Sequence, residues 1–314
     1  MIYHVTCSTD DYYVQHCMAM LCSLFENNRK SEFCILLLMD NLSQNACHFI
    51  SELCAKYNNS VTFYQIDKAM MEGIALSDLQ FNGRPAYSIA TYYRMLLPTV
   101  IPRSVRRILY LDCDIIVLGD VDELYQLNLS NNGLAAVYDC TPYDSYHRFK
   151  MGLGLNHNAF CAGMMMINLD YWRENNSQKE LFKYANRTWE SVYMQDQDAL
   201  NYVFRDNWLM LPYKWGKTPL SVAPVDSRQK MFDLKEYVYT PNILHYSAHV
   251  KPWLDVWFPL RKHYWKYVML SGYPDPKVTK TNLAVKKRIY NSLMRYFLNK
   301  YIRPFVPDTI ELLI

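Results

Sequence analysis

The stretch Arg107-Ile-Leu-Tyr-Leu-Asp-Cys-Asp-Ile-Ile-Val117 decides the expected fold of this chain. Ile108 to Leu111 form a short apolar run, which is typical of a buried strand. Asp112 and Asp114 follow two residues apart, so their side chains project to the same side of an extended chain. Converging carboxylates repel each other unless a cation lies between them, and oxygen ligands suit a hard divalent metal. Because open α/β sheets bind ligands at the carboxyl ends of strands, the pair predicts a metal site.

Strands and helices alternate around this stretch, as hydrophobic periodicity indicates. The predicted strands are Ile2 to Cys7, Phe33 to Met39, Val61 to Ile66, Arg107 to Leu111, Leu134 to Tyr138 and Met164 to Asn168. The predicted helices are Tyr13 to Asn28, Gln44 to Tyr57, Gln178 to Tyr193 and Gln197 to Phe204. Alternation of this kind implies a mostly parallel sheet, so we expect an α/β fold.

Composition favours a globular, intracellular protein. The chain has 314 residues, of which 51% are hydrophobic and 20% charged. Its longest apolar runs are too short to span a bilayer, and no signal-peptide pattern follows Met1. All nine cysteines lie between Cys7 and Cys161, without a Cys-x-x-Cys pair. This pattern argues against a disulfide framework or a zinc site and indicates a reducing compartment, so we expect a cytoplasmic protein.

The C-terminal end of the chain is strongly basic, unlike the rest of the sequence. Between Lys277 and Arg303 there are eight basic residues and no acid, whereas the whole chain carries a net charge of +3. The run Gly-Tyr-Pro-Asp-Pro at 272–276 predicts a break. We therefore expect a catalytic domain at residues 1–265 and a basic, helical C-terminal extension at 266–314.

A helix from Asn282 to Tyr301 would place apolar and aromatic residues opposite basic ones. A basic amphipathic helix of this kind suits an anionic membrane surface. The alternative is a C-terminal helix docked on the domain with solvated lysines. The membrane interpretation predicts peripheral association with the inner face of the plasma membrane.

Six segments, in this order along the chain, resemble glycosyltransferase family 8, which includes bacterial lipopolysaccharide galactosyl- and glucosyltransferases and, more distantly, glycogenin. They are Thr9-Asp-Asp-Tyr-Tyr13, Ser88-Ile-Ala-Thr-Tyr-Tyr-Arg94, Tyr110-Leu-Asp-Cys-Asp114, Cys161-Ala-Gly-Met-Met-Met-Ile-Asn-Leu169, Gln195-Asp-Gln-Asp-Ala-Leu-Asn201 and His245-Tyr-Ser-Ala-His-Val-Lys-Pro-Trp253. The resemblance covers roughly residues 2 to 255. It implies a GT-A-type, Rossmann-like nucleotide-sugar-binding fold. It also implies transfer of a hexose from UDP-galactose or UDP-glucose to an oligosaccharide or lipid-linked glycan, with retention of configuration, in the synthesis of lipopolysaccharide, capsule or another surface polysaccharide.

The resemblance makes His245 the third metal ligand beside Asp112 and Asp114. Without it, a histidine at a strand end is more often a hydrogen-bonded structural residue. Because imidazole is a common ligand of transition metals, the set favours Mn²⁺, with Mg²⁺ as the alternative. Lys251 would then contact the donor diphosphate, although an isolated lysine is usually a surface residue.

The resemblance assigns further residues to the donor nucleotide sugar. Asp10 and Asp11 resemble the uridine pocket, where an aspartate could equally cap the next helix. Tyr13 would stack on the base. Arg94 would contact the donor sugar, its alternative being an ion pair with a neighbouring acid. Asp112 and Ala162 complete the set.

Two residues are the candidates for catalysis. The resemblance implies that Asp196 binds sugar hydroxyls. It also places Gln197 at the face of the anomeric carbon opposite the leaving group. From the residues alone, this segment is a capped helix start. Cys161 stands where the family often has Asn, and we expect it to pack as a small apolar residue.

Two other functional classes compete with a transferase. A retaining glycoside hydrolase also uses two carboxylates, but it needs neither His245, Lys251 nor a metal. A non-catalytic nucleotide-sugar or glycan-binding protein would not need the three metal ligands. We expect no nucleic-acid partner.

Overall fold

A computed structural model describes residues 2–72, 74, 80–81, 84–85, 89–139, 145–154, 157–186, 196–216, 218, 241–247, 251–254, 258–274 and 276–277. The basic helix predicted from Asn282 to Tyr301 lies outside these residues, as does Gln195.

The strands within these ranges are β1 (Ile2–Ser8), β2 (Glu32–Met39), β3 (Ser60–Gln65), β4 (Gln80–Phe81), β5 (Arg84–Pro85), β6 (Arg107–Leu111), β7 (Ile115–Val117), β8 (Leu134–Tyr138), β9 (Phe160–Asn168), β10 (Trp208–Leu211) and β11 (Ile243–His245). The α-helices are α1 (Val14–Asn27), α2 (Gln44–Lys56), α3 (Leu97–Val100), α4 (Asp122–Tyr125), α5 (Ser145–Met151), α6 (Leu169–Glu174), α7 (Ser177–Ala185), α8 (Asp196–Phe204) and α9 (Arg261–Ser271). Short 3₁₀ helices cover Lys68–Met71, Ile89–Leu96 and Tyr213–Trp215.

A seven-stranded sheet in the order β10-β8-β9-β6-β1-β2-β3 forms the centre of the protein. Strand β9 runs antiparallel to both of its neighbours, and every other pair in this sheet is parallel. The predicted mostly parallel sheet is therefore confirmed. Because β9 is reversed, its amino end lies beside the carboxyl end of β6, and the two ends can contribute to one site.

Both faces of the sheet are covered. This explains why the residues of β6 from Ile108 to Leu111 are all apolar. Leu109 and Leu111 pack on the face that holds α1 and α9, whereas Ile108 and Tyr110 pack on the opposite face. Alternate side chains of one strand thus enter two separate cores. Helix α1 is buried from Val14 to Phe25, so it lies within the protein and not on its surface.

The predicted elements are found close to their expected positions, with two informative differences. Strand β9 begins at Phe160, not at Met164, because the small residues between them extend it past a register shift in the β8–β9 pairing. Strand bulges of this kind are common beside active sites. Of the helix predicted as Gln178 to Tyr193 the structure describes α7, which ends at Ala185, and Asn186. The segment that carries Arg94 is a 3₁₀ helix.

Helix α9 closes the described core. Its Tyr264, Tyr267 and Val268 side chains are buried in the α1 face of the core, and Gly272 ends the helix in a left-handed conformation with φ of 74°. The division predicted after residue 265 falls inside this helix, and the tail domain stays a prediction. None of the helices within the described ranges combines the length and the apolar character needed to cross a bilayer.

Candidate active site

The candidate site lies where β1, β6 and β8 end and β9 begins. Asp112 and Asp114 directly follow β6, and the backbone N–H of Asp112 donates to the Gly163 carbonyl of β9 at 2.8 Å. Asp139 directly follows β8. The site therefore occupies the edge of the sheet at which open α/β folds bind ligands.

A small second sheet brings His245 to this edge. Strand β11 pairs antiparallel with β7, and His245 lies opposite Ile115. One residue further, the backbone N–H of Tyr246 donates to the Asp114 carbonyl at 3.0 Å. Because backbone pairing fixes this register, a histidine far along the chain is held beside the two aspartates.

The three predicted metal ligands come together. One ligand atom from each of Asp112, Asp114 and His245 lies within 4.8 Å of the others. His245 Nε2 is 3.2 Å from Asp114 Oδ1 and 3.8 Å from Asp112 Oδ2. Asp114 Oδ1 is buried and, among the described residues, accepts no hydrogen bond, so it has lone pairs available for a cation. Two carboxylates and one imidazole thus fit a divalent metal.

Lys251 lies against the same cluster. Its Nζ donates to Asp114 Oδ2 at 2.6 Å and to the Tyr246 carbonyl at 2.7 Å. Burial alone would raise the pKa of Asp114, but Lys251 and His245 outweigh burial and hold that pKa below its usual value. The structure thus places a positive charge at the rim of the cluster formed by Asp112, Asp114 and His245, and the contact of Lys251 with a donor diphosphate stays a prediction.

Aromatic packing anchors the loop that carries Lys251. Trp253 stacks on His16 with 3.7 Å between ring centroids, and His16 Nδ1 is 2.6 Å from the Tyr264 hydroxyl. Tyr13 meets Trp253 edge-on at 6.2 Å and is 39% exposed. The predicted base-stacking residue therefore lies beside the Lys-Pro-Trp segment with its ring accessible.

Arg94 is 4% exposed and joins two acids of the site. Its Nη2 donates to Asp112 Oδ1 at 2.7 Å, and its Nε lies 3.1 Å from Asp196 Oδ2. Its guanidinium carbon is 4.2 Å from the centre of the Tyr110 ring, and the Tyr110 hydroxyl donates to Asp112 Oδ1 at 2.9 Å. The ion pair considered as the alternative role of Arg94 is present, and its contact with a donor sugar stays a prediction.

Asp196 and Gln197 lie at the start of α8, on the side of the site next to β8 and β9. Burial raises the pKa of Asp196 to about 7 against the opposing effect of Arg94. Gln197 Oε1 accepts the Ala162 backbone N–H at 3.0 Å, and its Nε2 donates to Asp139 Oδ2 at 2.8 Å. The amide is therefore fixed in orientation, and its place at the anomeric carbon stays a prediction.

Asp10 and Asp11 have structural partners. Asp10 Oδ1 accepts the backbone N–H groups of Tyr12 and Tyr13, which organises the turn before α1. Asp11 Oδ1 accepts from the backbone N–H and hydroxyl of Ser43, the N-cap of α2. Neither residue caps α1 itself, and their uridine-binding roles stay predictions.

Sequence reasoning missed three contributors to the site. Asp139 follows a buried strand in the same way as Asp112 and could have been found by the same rule. Cys161 was expected to pack as a small apolar residue, but it is half-buried and its Sγ lies 3.4 Å from His245 Nδ1. Gly163 lies directly beneath the same imidazole ring.

Comparison with known proteins agrees with this geometry. The sequence model of glycosyl transferase family 8 matches residues 4–256. General stress protein A of Bacillus subtilis is 26% identical over 275 residues, which cover 85% of this chain and 93% of that protein. The lipopolysaccharide 1,2-glucosyltransferase of Escherichia coli is 24% identical over 258 residues, which cover 81% of this chain and 74% of that protein.

The fold also matches solved structures. The galactosyltransferase LgtC, in complex with donor and acceptor sugar analogues, aligns with a TM-score of 0.74 at 20% identity. The alignment covers 91% of this chain and 99% of LgtC. The likeness confirms the predicted GT-A-type fold.

Proposed function

The chain belongs to glycosyltransferase family 8, and from that premise we propose that it transfers galactose or glucose from a UDP-sugar to a glycan acceptor with retention of configuration. The observation that carries the proposal is the convergence of Asp112, Asp114 and His245 with Lys251 at their rim. A nucleotide-diphosphate donor needs these two features together: a site for a divalent cation and a further positive charge for its phosphates.

The metal side of the site serves the leaving group. A divalent cation held by Asp112, Asp114 and His245 would act as a Lewis acid on the diphosphate, and the imidazole favours Mn²⁺ over Mg²⁺. Lys251 offers its ammonium to a phosphate oxygen in place of the Asp114 carboxylate that it contacts in the structure. The hydrogen bond from Arg94 Nη2 to Asp112 Oδ1 fixes the orientation of the Asp112 carboxylate.

The sugar side of the site is formed by Asp196 and Gln197. We propose that Asp196 binds hydroxyl groups of the donor sugar. Gln197 lies at the face of the anomeric carbon opposite the leaving group. Because a neutral amide is a poor nucleophile, we place the incoming acceptor hydroxyl on the same face as the leaving phosphate. The phosphate oxygen then receives the acceptor's proton, and the configuration is retained.

Two rival functions remain weaker. A glycoside hydrolase has no need for the cluster of Asp112, Asp114 and His245, nor for Lys251. A non-catalytic sugar-binding protein has no need for a metal site, and all three ligands are in place here. Family membership also favours a transferase over a hydrolase.

The relatives and the basic C-terminal segment support a proposal for the acceptor and the cellular setting. The Escherichia coli relative is a lipopolysaccharide glucosyltransferase, which supports a role in lipopolysaccharide, capsule or another surface polysaccharide. We propose that the protein is cytoplasmic and that its basic C-terminal segment associates with the inner face of the plasma membrane, where lipid-linked acceptors are found.

A donor screen tests the proposal. Purified protein is incubated with Mn²⁺ and, separately, UDP-galactose, UDP-glucose, UDP-N-acetylglucosamine and GDP-mannose, and released nucleotide is measured. We expect release from one of the two UDP-hexoses above all others, because the site is assigned to uridine and an unsubstituted hexose. Equal release from every donor, or none from either UDP-hexose, would contradict it.

A further inference from the structure

Two residues of β9 enclose the imidazole of His245. Cys161 Sγ lies 3.4 Å from Nδ1, at the edge of the ring that faces away from the carboxylates. Gly163, two residues further along the strand, leaves the space that the ring occupies. A Cβ atom at position 163 would lie 2.1 Å from Cε1 and 2.6 Å from Nε2, distances that real Cβ atoms essentially never show.

We propose that Cys161 and Gly163 are positioning residues that orient His245 as a metal ligand. The inference rests on the proposed function, because the metal site is part of that function. Nε2 of His245 faces Asp114 Oδ1 and Asp112 Oδ2, and Nδ1 faces the thiol. Nε2 binds a cation only when it carries no hydrogen. The neutral ring then has its hydrogen on Nδ1 and donates it to Cys161 Sγ.

A partner on the second ring nitrogen is the usual means by which proteins fix the tautomer and orientation of a metal-binding histidine. Sulfur is a weak acceptor, but the ring is buried and the thiol is the acceptor that the structure places at Nδ1. A side chain without an acceptor at position 161 would leave Nδ1–H buried and unsatisfied. The tautomer with hydrogen on Nε2, which points to the carboxylates, would then be favoured.

Gly163 has a second constraint that makes its size critical. Its carbonyl accepts the backbone N–H of Asp112 at 2.8 Å, so the backbone at 163 cannot move away from His245 without displacing Asp112. A methyl group at 163 must therefore push the imidazole out of line with the carboxylates. Gly163 therefore keeps two metal ligands in place. Its carbonyl holds Asp112 through a hydrogen bond, and the absence of a side chain leaves room for the imidazole of His245.

The test measures Mn²⁺ binding directly, by electron paramagnetic resonance of free Mn²⁺, without any donor or acceptor. Cys161→Ala should raise the Kd for Mn²⁺ by about 10-fold, the lower end of the effects known for such partners. Cys161→Ser supplies an oxygen acceptor and should stay within about threefold of the wild type. Cys47→Ala, on α2 away from the cluster, is the matched control and should not change the Kd.

A second measurement distinguishes a loss of His245 orientation from a general loss of folding. With the diamagnetic Mg²⁺ in place of Mn²⁺, the ¹⁵N shifts of His245 should show hydrogen on Nδ1 in the wild-type protein and, at the same Mg²⁺ concentration, a shift towards Nε2 in Cys161→Ala. Gly163→Ala should lose Mn²⁺ binding more strongly than Cys161→Ala while its melting temperature shows that it remains folded. If Cys161→Ala binds Mn²⁺ as tightly as the wild type and keeps the same tautomer, the inference is wrong and the proposed function stands. Failure of the wild-type protein to bind Mn²⁺ would overturn both.

Discussion

The buried Arg94 forms an ion pair with the partly exposed Asp112, with 2.7 Å between Nη2 and Oδ1. The same guanidinium reaches Asp196 on the sugar side of the site, with 3.1 Å between Nε and Oδ2. A cation in this position stabilises two carboxylates that burial would otherwise penalise. Arg94 therefore connects the ligands of the metal to the residues assigned to the donor sugar.

Removal of this arginine should destabilise the fold as well as the site. Arg94→Ala leaves the buried Asp196 and the partly exposed Asp112 without their partner, and we expect a loss of about 3–5 kcal/mol in the free energy of unfolding, mainly from Asp196. Urea denaturation measures it. Arg106 is the matched control because its ion pair with Asp170 is exposed, and Arg106→Ala should destabilise the protein far less than Arg94→Ala. Equal losses in the two variants would show that Arg94 has no special structural role.

His16 should make the protein sensitive to acid. Burial lowers the pKa of His16 to about 3, so in the folded protein it stays neutral where the unfolded chain, with a pKa of about 6.5, takes up a proton. The unfolded state then binds more protons. The stability that His16 contributes is complete above pH 6.5 and is lost as the pH falls towards 3, at up to about 1.4 kcal/mol per pH unit.

The variant His16→Phe removes this titration and keeps a ring to stack on Trp253. Between pH 7.5 and pH 5, its free energy of unfolding should fall less steeply than that of the wild type, even if the variant is less stable at pH 7.5. Denaturation curves at the two pH values give both slopes. Parallel slopes would mean that His16 is accessible to protons in the folded protein.

Gln197 and Asp10 should affect different steps. Gln197→Ala removes the amide that bridges Ala162 and Asp139 on the side of the site assigned to the sugar, so turnover should fall by about 100-fold. The Kd for UDP, measured by calorimetry with Mn²⁺, should change by less than about twofold, because we assign the amide to the sugar and not to the nucleotide. Asp10→Ala should weaken UDP binding by about 10-fold or more through a lost hydrogen bond to the base. An unchanged turnover in Gln197→Ala would remove that residue from the mechanism.

The basic tail should bind anionic vesicles. Basic residues near such a surface contribute about 1 kcal/mol each. A chain that ends after Lys277 keeps the hydrogen bond from Lys277 N–H to Gln15 Oε1 and loses most of the basic residues. It should retain turnover of a soluble acceptor but no longer sediment with vesicles that contain phosphatidylglycerol, and full-length protein should be released by salt. Equal sedimentation of the two proteins at low salt would exclude membrane binding by the tail.

The sequence predicts the edge of the sheet where the site lies, because strand periodicity and the strand-end rule both act locally. The apolar run places Asp112 and Asp114 at the end of β6, and the resemblance supplied His245. The two aspartates converge through a turn, in which the Ile115 N–H donates to the Asp112 carbonyl at 3.2 Å, and not through the alternation of a strand as predicted. Strand β11 has three residues and pairs with a strand far away in sequence, so only long-range packing determines its register.

The supporting contacts could not be predicted in the same way. Cys161 and Gly163 are small residues without a local signal, and their importance arises from a histidine on another strand. Arg94 was assigned to the donor, whereas its partners within the protein depend on the packing of the 3₁₀ helix against β6 and α8. Residues whose role is to position other side chains are identified from tertiary contacts, which a sequence pattern does not contain.

The central claim is hexosyl transfer that depends on a cation held by Asp112, Asp114 and His245, and UDP release with and without chelator tests it most directly. With the preferred UDP-hexose and an acceptor, excess EDTA should abolish release, and added Mn²⁺ should restore it. Asp112→Ala, Asp114→Ala and His245→Ala should each stay inactive after Mn²⁺ is added, because each substitution removes a ligand. Full turnover of the wild-type protein in excess EDTA would contradict the account.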